Sequence, residues 1–138
     1  MLLSARLLNA VSGVNAFEQA DTAQFNQGDV TNVYFQLIDA SLDTAAKAFN
    51  PAGRRYMPAS GATLQVTLTN IDDAKQIVRA GVMAFPTDDR SIWYLPMLST
   101  DAIAGTCDMV LKLTEGAKVT TGRVAAAVRI GVVTGAFC

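Results

Sequence analysis

Gly61-Ala62-Thr63-Leu64-Gln65-Val66-Thr67-Leu68-Thr69 is the stretch that decides the class of fold. Successive side chains of a strand point to opposite faces. Ala62, Leu64, Val66 and Leu68 therefore share one face, and Thr63, Gln65, Thr67 and Thr69 share the other. That is the pattern of a strand with one face in a core and one in water. Three further segments repeat it. In Val30 to Ile38, Val33, Phe35 and Leu37 alternate with Asn32 and Gln36, although Tyr34 and Ile38 make the second face amphipathic. In Cys107 to Leu113, Met109, Leu111 and Leu113 alternate with Asp108 and Lys112. In Arg123 to Val133, Val124, Ala126, Val128, Ile130 and Val132 alternate with smaller or charged residues, Arg129 among them.

Turn-forming clusters separate these runs: Asn26-Gln27-Gly28-Asp29, Pro58-Ala59-Ser60-Gly61, Asn70-Ile71-Asp72-Asp73, Thr87-Asp88-Asp89-Arg90 and Thr114-Glu115-Gly116. Each combines residues that tolerate tight or left-handed backbone geometry. Gln76 to Phe85 and Ser91 to Leu98 are expected to add two strands, with Pro86 and Pro96 at ends or an edge because proline lacks a backbone donor. Met1 to Leu8 has the apolar flavour of a leader, but Arg6 interrupts it and Asn9 and Ser12 cut it short, so a first strand is expected there. Short, regularly spaced strands with such turns predict an all-β sandwich or barrel. At 138 residues the chain suits a single domain, residues 1–138, in which 1–29 form a first strand plus an extended arm. Two stretches fit less simply. Ile71 to Val78 reads as turn then strand, with a short helix capped by Asn70 as the alternative. Ala40 to Met57 is too long for a hairpin loop and carries a possible helical turn at Asp43 to Phe49.

The composition bounds the chemistry. Hydrophobic residues make up 51% of the chain and charged ones 17%, an apolar excess that a partner surface would absorb. Eleven basic and twelve acidic residues leave a formal charge of −1 without a basic block, which argues against nucleic acid as a ligand. No apolar run approaches the roughly 20 residues of a membrane-spanning helix, so no membrane partner is expected. There is no histidine, hence none of the usual triads and not the commonest general base or transition-metal ligand. Asp72-Asp73 and Asp88-Asp89 are neighbours in turns, where carboxylates face water, and neither pair has the spacing of a calcium loop. Neither a Walker A pattern nor a dinucleotide fingerprint occurs. No catalytic residue, metal site, cofactor or small-molecule substrate is expected. Cys107 and Cys138 lack the spacing of a zinc site and read as independent thiols, with a bond from Cys138 to a neighbouring copy as the alternative.

Two clusters remain. Arg54-Arg55-Tyr56 is the one basic-aromatic group, suited either to an anion or a partner's carboxylates, or to stacking and solvation within its own loop. It is the candidate partner-binding site. Trp93-Tyr94 would be half of a sugar-stacking platform if both rings were accessible, but neighbours on a strand diverge, so one ring is expected inside and one outside.

A longer constellation carries a resemblance. Gly28-Asp29, Val33-Tyr34-Phe35-Gln36-Leu37-Ile38-Asp39, Arg55-Tyr56-Met57-Pro58-Ala59-Ser60-Gly61-Ala62-Thr63-Leu64, Phe85-Pro86-Thr87-Asp88-Asp89-Arg90-Ser91-Ile92-Trp93 and Leu113-Thr114-Glu115-Gly116 follow one another in that order. Over roughly Gly28 to Val128 this resembles small virion structural proteins of contractile-tailed bacteriophages, and the immunoglobulin-like N-terminal module of phage baseplate proteins. The resemblance implies an immunoglobulin-like antiparallel β-sandwich with one long loop. It also implies a non-enzymatic assembly component of the virion, in a tail, neck or baseplate, put together in the host cytoplasm and touching other virion proteins and copies of itself. The alternative is a carbohydrate- or cell-surface-binding sandwich using Trp93, Tyr94 and Tyr56.

Overall fold

In the computed structural model, which describes residues 2–10, 17–20, 22–40 and 54–132, every regular element is a strand. They are β1 (Leu3–Ala10), β2 (Phe17–Ala20), β3 (Ala23–Asn26), β4 (Thr31–Asp39), β5 (Arg54–Arg55), β6 (Thr63–Asn70), β7 (Gln76–Ala80), β8 (Val82–Phe85), β9 (Asp89–Met97), β10 (Gly105–Glu115) and β11 (Lys118–Gly131). They pair in the order β7-β6-β10-β11-β1-β4-β9-β8, with β2 on β1, β3 on β11 and β5 on β4. The alternating residues of the sequence meet in one core: Leu64, Val66 and Leu68 lie beside Met109 and Leu111 of the neighbouring β10, and Phe35, Leu37 and Trp93 of β4 and β9 complete the same cluster. Val66, Leu68, Met109, Leu111 and Leu113 are fully buried. That burial is the main force holding the walls together.

The two ends of that order are consecutive in sequence. Residues 76–85, expected as one strand, are two: β7 pairs with β6, and after Gly81 β8 pairs with β9. The bend converts an open sheet into a nearly closed, barrel-like sandwich. Gly81 sits close against the core at this bend, where a Cβ would lie 3.3 Å from a Leu64 methyl and 3.5 Å from the Trp93 ring. Its N–H donates to the Leu64 carbonyl (2.8 Å). From β7, Arg79 reaches across the seam to the end of β9 and the residues after it. It donates to the Pro96 carbonyl (2.6 Å) and, through both terminal nitrogens, to the Asp101 carboxylate (2.7 and 2.9 Å).

Not every pairing is antiparallel. β11 runs parallel to β1 at Leu3↔Gly122 and parallel to β3 from Val128↔Ala23 to Gly131↔Asn26. The first contact is so close that a Cβ on Gly122 would stand 2.2 Å from the Leu3 carbonyl oxygen, so only glycine fits. β11 also departs from strict alternation. Its register on β10 jumps between Cys107↔Val128 and Met109↔Val124, and Ala126 takes a positive φ of 50°. The Asp108 carboxylate holds this bulge by accepting from the Ala126 N–H (2.8 Å) and pairing with Arg123. Val128 and Ile130 are buried as expected, whereas Ala126 is exposed and Val132, beyond the strand, is 64% exposed. Asn70 opens a turn rather than a helix: its Oδ1 accepts from the N–H groups of Asp72 (2.7 Å) and Asp73 (3.1 Å). Pro86 falls in the turn before β9, and Pro96 is the penultimate residue of β9, beyond the reach of β8.

Candidate interaction surfaces

The Arg54-Arg55-Tyr56 segment begins as β5, which pairs Arg55 with Ile38 and Arg54 with Asp39 at the end of β4. The long connection therefore leaves and rejoins the barrel through a short hairpin stem. The rest of that connection, including the helical turn expected at 43–49, lies outside the described residues, as does Cys138. The two described side chains, Arg55 and Tyr56, both have partners within the molecule. Arg55 pairs with Asp89 at 3.4 Å while its side chain stays 57% exposed, a contact of little energetic weight. Tyr56 is more firmly held. Its N–H donates to the Leu37 carbonyl (2.9 Å), and its hydroxyl donates to Glu115 Oε1 (2.6 Å). Glu115 Oε2 also accepts from the Ala59 N–H (3.2 Å), and Arg90 donates to the Pro58 carbonyl (2.8 Å). The hydrogen bond to Glu115, with partial burial and the negative charge of that carboxylate, pushes the Tyr56 phenol up to about 12. Among the described side chains of this segment, the exposed Arg55 guanidinium carries the charge available to a partner.

The carboxylate pairs separate. Asp72 and Asp73 are exposed in their turn, as expected. Asp89 is not a solvated turn residue: Oδ1 accepts from the N–H (3.0 Å) and hydroxyl (2.5 Å) of the fully buried Ser91, because β9 begins there and needs its first donors satisfied. Cys107 is buried in β10, where burial pushes its thiol up and away from reactivity. Among the described residues no group of three histidine, cysteine, aspartate or glutamate side chains is placed to hold a metal ion.

Trp93 and Tyr94 diverge as the strand geometry requires. Trp93 is 2% exposed, and its indole donates to the Arg90 carbonyl (2.8 Å). Tyr94 lies on the opposite face against Tyr34, with ring centroids 5.4 Å apart and planes at 49°. Tyr56 is elsewhere, bound to Glu115, so Trp93, Tyr94 and Tyr56 do not form a common platform.

A broader surface emerges only from the register. On the outer face of β7, β6, β10 and β11, Val78, Thr67, Val110 and Arg123 lie in one row across the four strands. Ala80, Gln65, Lys112 and Thr121 form the next, followed by Thr63, Thr114 and Val119. Val78 and Val119 are more than half exposed and Val110 is 37% exposed. Arg123 is neutralised by Asp108, which leaves Lys112 as the single uncompensated charge in these rows. Alternation marked the outward residues of β6 and β10 in the sequence, but not that β7 and β11 extend them into a continuous face.

Comparison with protein-family models, with curated proteins and with solved structures gives no match for this chain.

Proposed function

We propose that the protein is a non-enzymatic structural component of a tailed-bacteriophage virion, in the tail, neck or baseplate, acting through contacts with other virion proteins and with copies of itself. The observation that carries the assembly half of this reading is the four-stranded outer face, on which threonine, valine, alanine and glutamine surround only Lys112 and the Arg123–Asp108 pair. Outward positions of a sheet in water ordinarily bear many charges. A face this poor in charge can be covered by a protein with little desolvation cost, and the central parts of interfaces are depleted in charge in the same way. The resemblance over Gly28 to Val128 supplies the particle, and with it the immunoglobulin-like character of the sandwich. Arg54, Arg55 and Tyr56 are the second contact in this reading, with the exposed Arg55 guanidinium offered to a partner's carboxylates.

The test is mass spectrometry of purified particles alongside melting curves of the free protein. The unaltered protein is expected in the particles. Val78→Glu with Val110→Glu, and separately Arg54→Glu with Arg55→Glu, are expected to leave the free protein folded while lowering incorporation at least about tenfold, since like charges or stranded carboxylates at an interface cost several kcal/mol. Absence of the unaltered protein from particles would overturn the reading. Normal incorporation of either variant would remove that surface from it.

A further inference from the structure

We propose that a groove at one end of the barrel, between β3 and the first residues of β4, is a binding site for a neutral oligosaccharide. The groove has a volume of about 560 Å³, within the range of small-molecule sites. Its origin is topological. The described ladder of β1 on β4 ends at Leu8↔Tyr34, while the opposite edge of β1 carries β2 from Leu7↔Ala20 to Ala10↔Phe17. β4 continues through Val33 and Asn32 to Thr31, hydrogen-bonded to β9 on its other side as far as Thr31↔Met97. β3 is meanwhile held away by its parallel pairing with β11. The space left between them is walled by rigid strands.

The lining fixes the ligand class. It brings together three carboxamides, Asn9, Gln24 and Asn32, the Thr31 hydroxyl, and the aromatic rings of Phe25 and Tyr34, with aliphatic residues making up the rest. Among the described residues that line it, none is ionisable near neutral pH. Carboxamides both donate and accept, matching the hydroxyl groups of a sugar, which do the same. Aromatic rings supply apolar surface with a specific face for the C–H side of a pyranose. An anion or cation would find no counter-charge among the described lining residues and would lose hydration on entering. Tyr34 is braced from behind by Tyr94, so its position is set before any ligand arrives. A smaller groove of about 330 Å³ shares Gln24 and Phe25 and adds Arg129. It provides the charge that the larger groove lacks, and so a built-in contrast.

The inference is independent of the assembly reading, and the experiment keeps the two apart because it uses the free protein. Maltotriose, cellotriose, lactose and sialyllactose are titrated into isotopically labelled protein while amide shifts are followed. At least one neutral sugar is expected to saturate, with a dissociation constant near or below about 1 mM, and the largest shifts at Asn9, Gln24, Asn32 and Tyr34. Asn32→Ala and Gln24→Ala, both at exposed side chains, are expected to weaken binding about tenfold with unchanged melting. Tyr34→Ala is expected to weaken it further. No saturation by any neutral sugar at roughly ten times that constant would overturn the proposal, as would saturation with shifts elsewhere or unaffected by Asn32→Ala and Gln24→Ala. Tighter binding of sialyllactose than of lactose would also overturn it, by moving the site to the Arg129 groove.

Discussion

The two outer faces of this barrel obey the same alternation and end in different surroundings. On the β7-β6-β10-β11 side the outward residues meet solvent, as at Val78 and Val110. On the β1-β4-β9 side the outward residues Leu8 and Ile38 are only 9% and 7% exposed, although neither belongs to the central core. Around them Tyr34, Gln36, Ile92 and Tyr94 are half-buried. One sheet therefore has a wet back, and the other is dry on both sides at its centre. The sequence carries the difference in composition: β6 alternates with threonine and glutamine, whereas β4 and β9 alternate with tyrosine and isoleucine. Period-two alternation identifies a strand and its inward face; the outward residues report what lies behind it.

The largest effect sets the scale for this comparison. Val66→Asp is expected to abolish soluble folding, because an uncompensated charge in the core exceeds the roughly 5–15 kcal/mol by which a domain is stable. Thr67→Asp, one residue along and facing water, is expected to yield soluble, folded protein. Soluble expression and circular dichroism decide it; equal tolerance of both would show that the inward face of β6 has been misassigned.

A sharper contrast uses the same kind of substitution on both backs. Ile38→Ala is expected to cost about 3 kcal/mol, as for a buried side chain, and Val110→Ala about 1 kcal/mol or less. Urea denaturation measures both. Similar values would erase the distinction between a dry and a wet face.

Moderate effects are expected at the side chains that tie the two walls together. Asp101→Asn, which removes the charge from the Arg79 bridge, is expected to cost about 2 kcal/mol, and Tyr56→Phe about 1 kcal/mol. Their pH dependences have opposite signs. The Arg79 guanidinium holds Asp101 below its ordinary pKa of 3.8, so this stabilisation is present above that value and is lost as pH falls below it. The phenol of Tyr56 is raised from 10.0 to about 12, so its stabilisation is complete below pH 10.0 and is lost as pH rises through about 12. Chemical denaturation across pH, with ultraviolet titration of tyrosine in wild type and Tyr56→Phe, checks both directions. An unshifted Tyr56 would show that the Glu115 bond does not form.

Much of the site description was beyond the sequence for a definable reason. Arg54, Arg55 and Tyr56 stand out in one dimension because they are adjacent. Glu115, which holds Tyr56, is 59 residues away and has no local signal. The groove is still less visible: Asn9, Gln24 and Asn32 are ordinary amides in three different strands, and they converge only because the β1–β4 ladder stops at Tyr34. That Trp93 and Tyr94 face opposite sides, by contrast, followed from strand geometry alone, whereas which of them enters the core did not.

Local pattern by itself determined that the fold is all-β, which residues of β4, β6 and β10 face the core, and where the main turns fall. Those properties depend on side-chain direction and turn chemistry within a few residues. Tertiary structure alone decided that residues 76–85 bend at Gly81 and close the barrel, that β11 lies parallel to β1 and β3, and that a bulge at Ala126 resets its alternation. Each of these is set by contacts between segments far apart in the chain: the space left beside Trp93 and Leu64, the approach of Gly122 to Leu3, and the reach of Asp108 to the Ala126 amide. Periodicity is a property of one strand, whereas closure and register arise where strands meet, and it is there that the physical choice is made.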